Sequence, residues 1–133
     1  MKYNIKPLIM IMAFVLLAQT APAQSKLDKL MTETTPEERA EMQTKNLQEK
    51  LSLSEDQYQQ VHEINLKYAN KMQNIYSADQ GKLQRLKSMK ALSEDKDREM
   101  KQVLSSQQYE AYREEKEKMK EGAKERRKSG SRN

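Results

Sequence analysis

The side chains able to do chemistry in this 133-residue chain are few and of narrow type. His62 is the only His and there is no Cys, so neither a His-pair metal site nor a Ser-His-Asp arrangement can be assembled within one chain. Thiol nucleophiles, disulfides and Cys-based zinc sites are excluded together. Nine Met remain as soft groups. Thioethers can hold Cu(I), but Met72, Met100 and Met119 fall on apolar stripes at helical spacing, which is the pattern of packing. The abundant carboxylates recur as i,i+3 and i,i+4 partners of Lys and Arg, as on a solvated helix face. With no His network and no Gly-rich loop, the sequence is expected to encode no enzyme, no cofactor site and no metal site, and to act by binding.

The densest charge run is Lys124-Glu125-Arg126-Arg127-Lys128. Such a cluster can meet nucleic acid, but no aromatic residues interleave it for base stacking. The other end of the chain argues the same way. Lys2 and Lys6 precede an apolar run from Leu8 to Ala18 and a small-residue end at Ala21-Pro22-Ala23. This is the form of a secretory signal peptide over residues 1–23, cleaved after Ala23. As a helix the run would extend roughly 16 Å, against about 30 Å of bilayer core, and no Cys stands at the cleavage point to carry a lipid. A periplasmic protein is therefore expected. Nucleic acid is not expected as a partner, and the basic end serves solubility or at most peripheral contact with an anionic membrane surface.

Without the leader, 110 residues remain, of which 31 are hydrophobic, about 28%, and 43 are charged, about 39%. That composition is too poor for a thick monomeric core. It predicts thin helices whose apolar stripes are shared between two chains.

Four helix starts can be read. Residues 24–34 are polar with scattered Leu27, Leu30 and Met31 and read as a flexible lead-in, loose or weakly helical. Thr35-Pro36-Glu37-Glu38 combines a capping residue, Pro at the first helical position and a Glu three residues on, predicting a helix to about Leu51 with Ala40, Leu47 and Leu51 as sparse contacts. Ser54 opens the next, to about residue 78, in which Tyr58, Val61, Asn65, Tyr68, Met72 and Ile75 follow one another at spacings of three and four. Ser77-Ala78-Asp79-Gln80-Gly81 reads as a turn before a helix over about 82–103, with a kink possible near Ser93. One helix unbroken through Gly81 is the alternative, at a cost of only about 1 kcal/mol. Ser105 opens a last helix to about Gly122, leaving 123–133 as a disordered basic tail.

Two of these starts are one phrase. Leu53-Ser54-Glu55-Asp56-Gln57-Tyr58 and Leu104-Ser105-Ser106-Gln107-Gln108-Tyr109 match at four of six positions, 51 residues apart. Each combines a Ser cap with a Gln that bonds back to it. In an exported, Cys-free, charged helical chain, this pair resembles the Spy/CpxP family, whose mark is two L-T-x-x-Q motifs opening two helices. Leu53, Ser54, Gln57, Leu104, Ser105 and Gln108 carry the resemblance. Ser replaces Thr in both copies and caps as well.

The resemblance implies an all-α, elongated, bent helical hairpin over residues 35–122 that pairs antiparallel into a cradle-shaped homodimer. It implies an ATP-independent chaperone that holds unfolding envelope proteins under stress. A signalling adaptor that inhibits an envelope-stress sensor histidine kinase is the first alternative, and a periplasmic metal-binding or metal-resistance protein is the second. For a holding role, Met72, Ile75, Tyr76, Leu83, Leu86 and Met89 around the predicted hairpin are the candidate client contacts, with closure of the hairpin or dimer as their other use.

Overall fold

The helices that open at Pro36, Glu55 and Ser106 begin where the local sequence satisfies free backbone N–H groups of the first turn. In the computed structural model, which describes residues 22–131, the order is α1 (Pro22–Glu33), α2 (Pro36–Leu51), α3 (Glu55–Ser77), α4 (Lys82–Val103) and α5 (Ser106–Gly130). The apolar run Leu8–Ala18 read as a leader lies outside the described residues. Among the described residues, no helix is long and apolar enough to cross a membrane.

Thr35 Oγ1 accepts from the Glu38 N–H at 3.1 Å, while Glu38 Oε2 accepts from the Thr35 N–H at 2.8 Å. Ser54 and Ser105 cap α3 and α5 in the same reciprocal way. Gly81 precedes α4 without a side-chain cap, and the chain breaks between Ser77 and Lys82 rather than continuing as one helix. Through Ser93, α4 is uninterrupted.

Two expectations are corrected at the ends. Residues 24–34 do not form a flexible lead-in, because Pro22–Glu33 is helical and buries Met31. Its polar residues have tertiary partners, as the Tyr76 hydroxyl donates to Asp28 Oδ1 at 2.6 Å. The basic tail is not disordered from residue 123, since α5 continues to Gly130. Within it Lys128 pairs with Glu125 at i,i+3, and Lys120 with Glu117 just before it. The described residues thus hold five helices rather than about four.

α3 is the central element, packed between α2 and α4. Contacts of Thr44 with Asn65 and of Arg39 with Gln73 run α2 and α3 antiparallel, and those of Lys67 with Glu99 and of Tyr76 with Arg85 do the same for α3 and α4. Burial on both sides explains why its apolar stripe is wider than a simple seam. Val61, Ile64, Tyr68 and Ala69 are all buried. The Asn65 interruption is answered by α2: Asn65 Nδ2 donates to Thr44 Oγ1 at 2.9 Å, and that hydroxyl donates to the Ala40 carbonyl at 2.7 Å. Both side chains are fully buried. A polar pair inside so thin a core fixes the register of α2 on α3, since sliding either helix would take the buried Asn65 amide away from this acceptor.

One core cluster joins Leu47, Leu51, Leu53, Val61, Ile64, Tyr68, Leu92, Met100, Leu104 and Tyr112, and so draws on four helices and both motifs. Met100, with no exposed surface, lies at its heart. Met100→Ala is expected to lower unfolding free energy by about 2–5 kcal/mol in urea titrations, whereas Met119→Ala, at a side chain 68% exposed, should change it by under about 0.5 kcal/mol.

Candidate functional site

The two motif copies meet. Gln57 and Gln108 face each other across the junctions that end α2 and α4. Gln57 Nε2 donates to Gln108 Oε1 at 2.7 Å, and Gln108 Nε2 donates to Gln57 Oε1 at 3.1 Å. The second donor of each amide reaches the other junction: Gln57 to the Val103 carbonyl at 3.1 Å and Gln108 to the Leu51 carbonyl at 3.2 Å. Leu51 and Val103 are the last residues of α2 and α4, whose terminal carbonyls have no partner within their own helices. Each Oε1 also accepts from its own cap, from the Ser54 N–H and the Ser105 N–H, both at 3.0 Å.

Those backbone donors fix which way each amide faces. A Glu would complete either capping box equally well, but it has no N–H to give the opposite helix end. This is why both copies carry Gln. The junctions differ by one residue. Three residues link α2 to α3, and Ser52 among them takes a left-handed conformation with φ 50°, while two link α4 to α5. The extra turn lets Leu53 and Leu104 both reach the core.

By joining the two junctions, the motifs set α5 beside both α2 and α4. Lys50 of α2 pairs with Glu115 of α5, and Lys116 of α5 pairs with Asp97 of α4 through contacts of 2.6 and 2.7 Å. The Tyr112 hydroxyl donates to the same Asp97 at 2.8 Å. Between these helices and α1 opens a groove of about 590 Å³. Met31, Met42, Met72, Met89 and Met119 all line it. Five of the six Met that follow the leader therefore border one groove, Met31 as a buried part of its wall, and the sixth is the fully buried Met100. Met42 and Met119, at 51% and 68% exposed, stand where it opens to solvent.

Cations border this apolar surface. Arg39, Lys50, Lys96 and Lys116 line it, and Glu115 is the single carboxylate among the lining residues. Hydrogen bonds from Lys50 and then Lys118 hold the Glu115 carboxyl below its ordinary range. Burial, and then the hydrogen bond to Glu99, push the Tyr68 hydroxyl up to about 12, so it is a donor at any physiological pH. For Lys96, burial and then the charge of Lys116 pull the ammonium down to about 8, with Asp97 opposing them.

The six residues expected to meet clients are distributed unevenly. Met72 and Met89 line the groove. Ile75 packs against the core cluster, and Tyr76 is tied to α1 through Asp28. Leu83 and Leu86 lie outside the groove on α4, 67% and 52% exposed. The sequence reading missed Met31, Met42 and Met119 as companions of Met72 and Met89, because their nearness depends on which helices the motifs bring together. The high Met content was the available signal. His62 is half-buried on α3, and among the described residues no three His, Cys, Asp or Glu side chains cluster as metal ligands.

Two outcomes test this geometry. Gln57→Glu keeps the capping box and removes both donated bonds, so it should destabilise the fold by about 1–3 kcal/mol at pH 7. Because the introduced carboxyl, once protonated, regains a donor, the loss should shrink as pH falls toward 4, read by urea titration across pH. For Lys96, the folded ammonium loses its proton near 8 and the unfolded one near 10.5. Between those values the folded state binds fewer protons, so stability rises with pH. Lys96→Met should be more stable than wild type at pH 7, with the difference closing between pH 8 and 10.5.

No curated protein and no solved structure matches the chain. Residues 18–112, spanning α1 to the first turns of α5 and both motif copies, match the family described as a domain of unknown function, DUF4890, and the chain belongs to that family.

Proposed function

We propose that this protein is an exported, ATP-independent holding chaperone of the Spy/CpxP type, which receives apolar segments of unfolding envelope proteins in the methionine-lined groove. The observation that carries the reading is the gathering of Met31, Met42, Met72, Met89 and Met119 around one groove bordered by four cations. Met side chains are unbranched and adapt to many shapes, so such a surface binds weakly and broadly. The surrounding charge attracts a chain at longer range and keeps the loaded protein soluble. The repeated Leu-Ser-x-x-Gln-Tyr phrase supports the same kinship, and the apolar N-terminal run supports export.

Two chains forming a cradle is part of the proposal. Leu83 and Leu86 are large, exposed and one turn apart on α4. A second copy covering them would supply apolar contact that the thin single-chain core lacks.

The direct test is light scattering from a chemically unfolded model protein diluted into buffer without nucleotide. Aggregation should be suppressed at a few-fold molar excess of this chain. The double variant Met42→Gln/Met119→Gln, altered only at exposed positions, should suppress it several-fold less well while retaining its helical circular dichroism. Failure to suppress at a several-fold excess would count against the chaperone reading. Sedimentation at micromolar concentration should give a dimer that Leu83→Gln/Leu86→Gln dissociates, and a monomer in both cases would remove the cradle.

A further inference from the structure

The cations of the groove are not equivalent. Lys50 and Lys116 are each neutralised by a carboxylate, Glu115 and Asp97. Lys96 is not. Its Nζ donates to the neutral Gln43 Oε1 at 2.9 Å, and no carboxylate lies within ion-pair distance of it among the described residues. It is half-buried, and it shares the lining with the methionines. Arg39 likewise has only neutral partners, the Thr34 carbonyl at 2.6 Å, Thr34 Oγ1 at 3.3 Å and Gln73 Oε1 at 2.7 Å. The lining as a whole has four cations and one carboxylate around an apolar interior.

An under-neutralised ammonium at the side of an apolar groove is complementary to a molecule with one anionic end and an apolar body. We propose that the groove binds a free long-chain fatty acid, its carboxylate paired with Lys96 and its unbranched chain laid against the methionine side chains. A volume of about 590 Å³ is within the range of pockets that enclose a single small ligand. Unbranched thioethers conform to an unbranched alkyl chain better than branched aliphatic side chains would. The depressed proton affinity of Lys96, caused by burial and by Lys116, is the apo state of such a site, since a bound carboxylate would offset both causes. A bilayer presents its charge as a broad surface and does not reach a half-buried ammonium inside a groove. Binding of this ligand goes beyond the chaperone reading and stands whether or not the groove also holds unfolding chains.

The experiment is a fluorescence titration of the full chain with cis-parinaric acid and, separately, with its methyl ester, both below their aggregation limits. The acid should bind saturably at one per chain, and the ester, which lacks the anion, about tenfold more weakly. Lys96→Gln should weaken the acid by about the same factor and leave the ester unchanged. Gln43→Glu, which gives Lys96 a carboxylate from its own chain, should do likewise by a different route. Saturated acids of increasing length, used as competitors, should gain roughly three- to fourfold in affinity per methylene until the groove is filled.

Equal affinity for acid and ester would overturn the proposal. So would unchanged acid affinity in both variants with helical circular dichroism retained. Binding to anionic phospholipid vesicles without saturable binding of the free acid would also overturn it and assign the charge to a membrane surface. Failure of any of these arms leaves the aggregation assay untouched, so this proposal and the chaperone reading fail separately.

Discussion

A helix end inside a thin protein has an unavoidable difficulty: its last carbonyls need donors, and there is little buried volume in which to place them. The two glutamines of this chain resolve it jointly. Gln57 serves its own helix start, its counterpart Gln108 and the end of α4, and Gln108 serves the equivalent three for α2. Because each amide uses both its oxygen and its nitrogen, neither junction can move without unpairing polar groups at the other. The fixed relation of α2, α3, α4 and α5 follows, and with it the walls of the groove. The Leu53 and Leu104 side chains add the apolar part of the same lock, since both belong to the core cluster that contains Met100.

A composition so poor in apolar residues also shapes what can be left open. Tyr68, Tyr112, Thr44 and Asn65 contribute buried surface and hydrogen bonds together, which stretches a small apolar inventory across five helices. Aliphatic side chains are concentrated where α2, α3 and α4 pack. Methionine is left for the groove, where a flexible side chain is tolerated because no single packing arrangement is required. At the groove edge Lys50 and Lys116 are held by Glu115 and Asp97, while Lys96 is left with a neutral partner.

Much of the scaffold was legible in the sequence because capping is local. Thr35, Ser54 and Ser105 announce their helices within four residues, and α2, α3 and the start of α5 stand where those signals place them, while α4 follows the turn read over Ser77–Gly81. The seam of α3 was legible for the same reason, as its spacing is a property of one helix. Three features were not. The lead-in is helical because Asp28 and Met31 find partners in elements far along the chain. α5 runs on to Gly130 through short-range charge pairs that composition alone reads as a repulsive tail. The convergence of five methionines depends on tertiary placement of α1 and α5, which no window of sequence contains. The repeated phrase did identify the residues that matter most, although it showed them as two caps and not as one contact.

The account thus rests on the two motif copies acting as a unit. A cap acts within its own helix, whereas a crossed pair couples residues 51 positions apart. A double-mutant cycle on Gln57→Ala and Gln108→Ala, read by urea unfolding, separates the two cases most directly. A coupling free energy of about 1–3 kcal/mol is the result this structure predicts, because removing either amide already breaks the bonds that the other makes to it. Additivity within about 0.3 kcal/mol would mean that the motifs are independent caps, and would contradict it.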